Sequence, residues 1–381
     1  MLKIIPSSLM ISPNEDRIIR ISKTIRQNLN IGWDDYINVK VGNRRPILMT
    51  VYKAHRDDIF AFGDKYSWVT RRTFDFLNNN NKDELPCKVS NIEQPASYSI
   101  TLGSDPEFMI FDRTVQYKMY PANAIGLNYT DQVGSDNALG EIRPDFGRTH
   151  TELVNNMAKL IKSIPGKIGN DKVAKALSSF LGLDAGYHIH LGLPQKLLTR
   201  GKNSAALLKS IVRSMDYFVS VLATVGETEN QRRTNRTHYG FPGDFRVKLH
   251  TLEYRTPGAY LLRCPTLSKG TLAIAKLVTD DVLSKLDIAT NNWSTFTNNP
   301  FSFLYSFLKS EYGLPLVPEV VKLIIDEDKT AAINKVDTII RAMERMRGYK
   351  PVEQDIISFV QMVTSGNIPG PLFTDNWSNI L

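Results

Sequence analysis

Four short stretches of this sequence repeat one pattern, and that pattern restricts the fold more than anything else in it. They are SDPEF at 104–108, GEIR at 140–143, YHIH at 187–190 and LEYR at 252–255. Each sets two ionisable side chains two residues apart: Asp105 and Glu107, Glu141 and Arg143, His188 and His190, Glu253 and Arg255. On an extended backbone successive side chains alternate between faces, so each pair shares one face. The other face takes Phe108 and Ile110, then Tyr187, Ile189 and Leu191, then Leu252 and Tyr254. An acid and a base two apart on an exposed strand are ordinarily solvated surface, and a histidine pair is as readily satisfied by backbone carbonyls as by a metal. Here the segments are otherwise apolar and bounded by glycine or proline. Their charges are carboxylate, imidazole and guanidinium rather than a lysine and glutamate mixture.

If the four strands share a sheet, one face gathers Asp105, Glu107, Glu141 and Glu253 with the two histidines. Carboxylates packed that closely repel and raise one another's pKa unless cations neutralise them. Oxygen donors dominate, one or two imidazoles are available and no thiolate is near by spacing, so Mg²⁺ or Mn²⁺ suits the set better than zinc. Arg143, Arg236, Arg246 and Arg255 exceed what four metal-occupied carboxylates require, and guanidinium forks suit phosphate or a substrate carboxylate. Together these features suggest phosphoryl transfer from a nucleotide, without the GxxxxGK[ST] loop, which occurs nowhere in the chain.

At 381 residues and 42% hydrophobic content the chain can bury one large core with a smaller satellite. Residues 1–95 differ in texture from the rest. Arg17–Ile21, Tyr36–Val41 and Ile47–Tyr52 read as strands, Lys23–Leu29 as a short helix, and Asn78–Pro86 as a polar loop. Over about fifty residues this stretch resembles the swapped-hairpin and double-psi small barrels. From residue 96 strands alternate with amphipathic helices, expected at Thr149–Ile164, Ser204–Val225, Thr266–Leu286, Val317–Ile325, Thr330–Met346 and Val352–Val363. Cys87 and Cys264 are the only cysteines, too few for a disulfide framework, and a reducing, cytoplasmic setting fits them. MLKIIPSSLMIS lacks the pattern of an export signal, and no run of apolar residues is long enough for a membrane span. The net charge of +8 suits a nucleic acid or an anionic small substrate equally. The tight cluster Gln231–Arg236 is either a solvated loop or a phosphate contact.

The ordered series GSDPEFMIF, SDNALGEIRPDFG, GYHIHLG and NRTHYGFPGDFRVK leading into LEYRTPG resembles the carboxylate-amine ligases of the glutamine synthetase and glutamate-cysteine ligase superfamily. It is most similar to the phage-associated COOH-NH2 ligases (amidoligases), over about residues 98–262. The resemblance implies an α+β fold: a glutamine synthetase-like catalytic domain over 96–381, its curved antiparallel β-sheet covered by helices, preceded by a small β-rich domain over 1–95. It implies an ATP-dependent ligase that joins a small-molecule carboxylate to an amine through an acyl phosphate, with Mg²⁺ or Mn²⁺ and no membrane partner, in the host cytoplasm if phage-encoded. Residue by residue, it implies metal binding by Asp105, Glu107, Glu141, His188 and Glu253. It places His190 in the nucleotide or substrate site, and Arg236, Arg246 and Arg255 on the phosphates. Glu107, Arg246 and Arg255 would carry the chemistry. Asp105 stands where glutamine synthetases have Glu, and a further acid on their second strand has no clear counterpart.

Two other classes use the same residues. A metal-dependent hydrolase can also be built on a His-x-His strand, but needs more histidines, and only His238 and His250 remain as candidates. A non-catalytic structural or nucleic-acid-binding protein on a ligase fold has the basic charge as its only support.

Overall fold

The computed structural model describes residues 2–10, 18–29, 36–41, 47–78, 82–91, 100–193, 195–198, 202–227, 229, 240–248, 250–290 and 299–378. The chain divides into two compact units, Met1–Ser97 with Leu193–Ala205, and Tyr98–Gly192 with Ala206–Leu381. No helix among the described residues is long and apolar enough to cross a membrane.

The first unit is built on six strands: β1 (Leu2–Pro6), β2 (Ile18–Ile21), β3 (Tyr36–Val41), β4 (Ile47–Lys53), β5 (Tyr66–Val69) and β6 (Leu85–Asn91). They close into a barrel in the order β1-β5-β2-β4-β3-β6. The β1–β5 and β2–β4 pairs are parallel and the rest antiparallel. Alternation along the strands separates two apolar clusters. Ile4, Ile19, Ile21, Ile37, Val39, Met49, Val51 and Val69 belong to one, which Phe74 and Leu77 of the helix Arg71–Leu77 join. Their chain neighbours Ile5, Ile18 and Trp68 belong to the other, against which Ile59 of the helix Arg56–Phe62 packs. The helix expected at Lys23–Leu29 is present. The polar segment ends sooner than its composition implies, because β6 already begins at Leu85. Leu85 and Cys87 both join the first cluster, and that alternation overrides the weak strand preference of the Pro86 between them.

The second unit is α+β. Its main sheet follows the order β15-β16-β14-β7-β10-β9. These strands are β7 (Thr101–Asp112), β9 (Val133–Asp136), β10 (Leu139–Ile142), β14 (Tyr187–Gly192), β15 (Phe245–Val247) and β16 (Leu252–Tyr254). Two more, β8 (Met119–Tyr120) and β11 (Lys172–Lys175), pair with the far end of β7, while β12 (Ser179–Phe180) and β13 (Leu183–Asp184) form a separate hairpin. Every pairing is antiparallel. The long β7 changes partners along its length: residues 101–106 pair with β14 and Glu107 and Phe108 with β10. The switch falls at Pro106, which has no N–H to donate.

Helices cover the apolar face, and the tyrosines there send their hydroxyls into them. Tyr254 meets Ser220 at 2.6 Å, and Tyr260 donates to the carbonyl of Ala223 at 2.6 Å. The helix Pro265–Thr290 packs against the helices His150–Ile161 and Glu353–Ser365. Gly270 permits the second contact, since a Cβ there would lie 2.1 Å from Cβ of Phe359. Thr149 caps its helix as its position implies, accepting from Glu152 N at 3.1 Å.

Two helices expected to be continuous are interrupted. The first runs Lys202–Met215, passes through a π-helical turn at Asp216–Ser220 and resumes at Val221–Gly226. The second breaks between Lys329–Ile333 and Val336–Glu344. A further helix at Pro300–Tyr312 has Asn299 as its cap.

Candidate active site

The register brings the ionisable pairs onto one face. His188 lies opposite Asp105, His190 opposite Gly103 and Glu253, Glu141 opposite Glu107, and Arg246 opposite Glu253. Directly opposed residues of an antiparallel ladder point the same way, so all of these side chains face a common side. Asp105, Glu107, Glu141, His188 and Glu253 are buried. The character of this face changes further along β7: Met109 and Phe111, two and four residues beyond Glu107, pack with Leu139, Ala185 and Ala259. The polar patch is therefore confined to the stretch of β7 up to Glu107, with β14 on one side of it and β10 on the other.

Two groups of donors converge there. One oxygen of Asp105, one nitrogen of His188 and one oxygen of Glu253 all lie within 4.8 Å of one another, and the same is true of Glu107, Glu141 and His188. His188 belongs to both groups. Its Nδ1 is 3.3 Å from Asp105 Oδ1 and 3.6 Å from Glu253 Oε1, while Nε2 of His190 is 2.7 Å from Asp105 Oδ1. Ser104 donates its hydroxyl to the His188 carbonyl at 2.6 Å, tying the two strands behind the site. Glu107 is anchored by the residue that leads into β14, accepting from Gly186 N at 2.6 Å.

Burial and crowding shape the protonation of this cluster. Burial pushes the Glu141 carboxyl up, to about 9, and Asp105 beside it adds to the effect against the pull of Arg143. Burial acts on Asp105 too, but His190 and His188 prevail and hold it well below the usual carboxylate range.

The arginines are less available than their number implies. Arg143 pairs with Glu141 and donates to the carbonyls of Asp131 at 2.9 Å and Ser135 at 3.1 Å, with the Tyr129 ring 5.1 Å away. Gly134 leaves room for it, because a Cβ there would sit 2.7 Å from the guanidinium. Arg255 lies 3.4 Å from both Glu253 and Asp244. Arg246 is exposed on the edge strand β15. Arg236, with the whole Gln231–Arg236 cluster and His238, lies outside the described residues.

Three residues that the sequence pattern did not single out belong to this face or hold it. Lys248 Nζ stands 2.9 Å from Glu253 and 3.3 Å from Asp105. Burial opposes its charge, yet the two carboxylates raise its pKa. It follows Arg246 at the same two-residue spacing, which was a readable signal. Asp136 on β9 lies opposite Leu139, two residues from Glu141, and so supplies an acid on the strand beyond Glu141. Asp216, buried in the π-helical turn, accepts from Tyr254 at 2.8 Å, Gly243 N at 3.1 Å and Arg213 at 2.9 Å. It thereby fixes β16 at Tyr254, next to Glu253, and the turn at Gly243 that leads into Asp244. Burial pushes its carboxyl up.

The residues present fit a hard divalent ion. The donors are carboxylate oxygens with one shared imidazole, and buried Asp105 Oδ1 and Glu253 Oε2 accept no aligned hydrogen bond.

Three solved structures are similar at low identity. A bifunctional glutathione synthetase from Pasteurella multocida is 11% identical, covering 71% of this chain and 52% of that one, with a TM-score of 0.34. The present chain thus spans about half of that protein's length. A glutamine synthase homolog is 9% identical over 70% of this chain and 71% of that one, with a TM-score of 0.34. Apo GmaS is 13% identical over 76% and 80%, with a TM-score of 0.31. No curated protein sequence matches. The family model described as phage phiEco32-like COOH.NH2 ligase-type 2 matches residues 102–297, which begin in β7 and take in every strand that contributes to the acidic face. With more than half of its length inside that match, the chain belongs to the COOH-NH2 ligase family.

Proposed function

We propose that this chain is an ATP-dependent carboxylate-amine ligase that activates a small carboxylate as an acyl phosphate and passes the acyl group to an amine. The observation that supports this most is the convergence of four carboxylates and a shared imidazole on one buried sheet face, edged by basic side chains. A carboxylate is a poor electrophile. Its oxygen attacks the γ-phosphorus and ADP leaves; the amine then attacks the acyl carbon, phosphate departs, and the nitrogen loses a proton.

Asp105, Glu107, Glu141, His188 and Glu253 would hold Mg²⁺ or Mn²⁺. The ion, when bound, supplies the positive charge that lets anionic phosphates approach this face. Arg246, exposed opposite Glu253, would meet phosphate oxygens, and Arg255 would stabilise charge developing on the transferred group. Arg236 would join them. His190, beside Asp105, contributes a polar wall to the nucleotide or substrate side. The donor groups favour this reading over a zinc hydrolase, since each combines one histidine with two carboxylates among the described residues.

The test is ADP release in Mg²⁺ or Mn²⁺ against pooled amino acids and polyamines, with mass spectrometry of the products. The expected outcome is ADP and phosphate released only when a carboxylate and an amine are both present, and a product weighing their sum less one water. Zinc-dependent hydrolysis without nucleotide would overturn the proposal.

A further inference from the structure

Building on the reading of Asp105, Glu107, Glu141, His188 and Glu253 as ion ligands, we infer that Lys248 is a displaceable counter-cation for the Asp105–Glu253 pair. Its ammonium neutralises these two carboxylates and leaves when a divalent ion takes the Asp105–His188–Glu253 group.

The contrast with Arg143 carries the argument. Both donor groups have a basic side chain on a carboxylate: Arg143 on Glu141, and Lys248 between Asp105 and Glu253. Arg143 is fixed from several directions. Two backbone carbonyls accept from it, Tyr129 flanks it, and its side chain is only 26% exposed. A planar guanidinium held in that way has nowhere to go.

Lys248 is held differently. Its side chain is 42% exposed, and the contacts found for its ammonium are the two carboxylates themselves. The backbone is firm, since Lys248 N donates to the Thr251 carbonyl at 2.8 Å, but four rotatable methylenes separate it from the charge. The stem can swing outward without disturbing β15 or β16.

An ammonium and a divalent ion held by the same two carboxylates repel each other. Lys248 contacts Asp105 Oδ2 and Glu253 Oε2, on the same two carboxylates that converge with His188. Occupation by one cation repels the other at contact distance. Lys248 therefore sets a threshold: in the absence of the ion it relieves carboxylate repulsion, and it weakens ion binding by the work needed to displace it. Swung out, it would carry its charge to the same side of the sheet as Arg246, two residues earlier on the same face.

The experiment is titration of metal-free protein with Mn²⁺, reading free Mn²⁺ by electron paramagnetic resonance and the melting temperature in parallel. Lys248→Met is expected to bind Mn²⁺ at least tenfold more tightly than wild type, and Lys248→Arg much less so. In EDTA the methionine variant should melt below wild type and gain more from Mn²⁺. Equal or weaker Mn²⁺ affinity in Lys248→Met, with wild-type binding that is saturable and lost in Glu253→Gln, would overturn the role of Lys248 and leave the ion cradle standing. No saturable Mn²⁺ binding by wild type or by Lys248→Met would overturn the cradle and the role of Lys248 with it.

Discussion

In the barrel, neighbouring residues on a strand face opposite ways and both find apolar company. Ile4 and Ile5, Ile19 and Ile18, Val69 and Trp68 each split between the two clusters. In the large sheet the same alternation sends Tyr187, Ile189, Leu191, Leu252 and Tyr254 one way, and His188, His190 and Glu253 the other. Both faces of that sheet are buried where the donors meet, but only one gains from it. Apolar burial contributes about 25 cal/mol per Å², whereas a buried carboxylate costs free energy unless a cation or hydrogen bonds compensate. Where both faces of a barrel strand are apolar, burial on either side is thus stabilising. The sheet's acidic face is a local cost that binding, rather than folding, explains.

Charge removal tests this difference most severely. Glu107→Gln or Glu253→Gln should lower ATP turnover at least about a thousandfold, equivalent to about 4 kcal/mol of transition-state stabilisation. Circular dichroism and the metal-free melting temperature should stay at or above the wild-type values, because the amide keeps the volume and removes a buried charge. Full ligase activity in either variant would take that residue out of the site. The barrel should respond in the opposite sense. Ile19→Ala, at a fully buried position, should cost about 2–5 kcal/mol of local stability, read as faster hydrogen exchange in β2 and β4. Unchanged protection there would mean that the barrel's inner cluster is not its stabilising core.

How much of this could be read beforehand follows from the range of each interaction. The shared face of Asp105, Glu107, Glu141, His188 and Glu253 was legible because period-two alternation is local and the intervening residues are apolar. Three of the barrel's six strands, β2, β3 and β4, were legible for the same reason. What held the basic side chains was not. Arg143 is fixed by carbonyls of Asp131 and Ser135, and Arg255 lies beside Asp244; these partners come from β9 and from loop residues whose positions depend on the finished fold. Asp216 was hidden inside an apparently ordinary helix, and its importance emerges only where the π-helical turn meets β16 and the turn at Gly243. Lys248 was the missed opportunity. Arg246 and Lys248 repeat the two-residue spacing of the other four pairs, but a purely basic pair lacks the carboxylate or imidazole that marks the others.

The comparison is sharpened by one carboxylate whose neutralisation should help folding and harm binding. Glu141 is held up to about 9 by burial and by Asp105, from an ordinary value of 4.5. Between those values the folded protein retains a proton that the unfolded chain has lost, so the metal-free protein loses stability as pH rises through this window. Glu141→Gln removes the titrating group. Its melting temperature in EDTA should match wild type near pH 4.5, exceed it progressively as pH rises, and level off above about pH 9. At pH 8 the gain should be about 5 kcal/mol, at about 1.4 kcal/mol for each of the roughly 3.5 pH units above 4.5. Saturating Mn²⁺ should reverse the order, because wild type keeps an oxygen ligand in the Glu107–Glu141–His188 group that the amide supplies only weakly. A variant that is less stable than wild type in EDTA across the whole range would show that Arg143 already neutralises Glu141 fully, and that this half of the acidic face carries no folding cost.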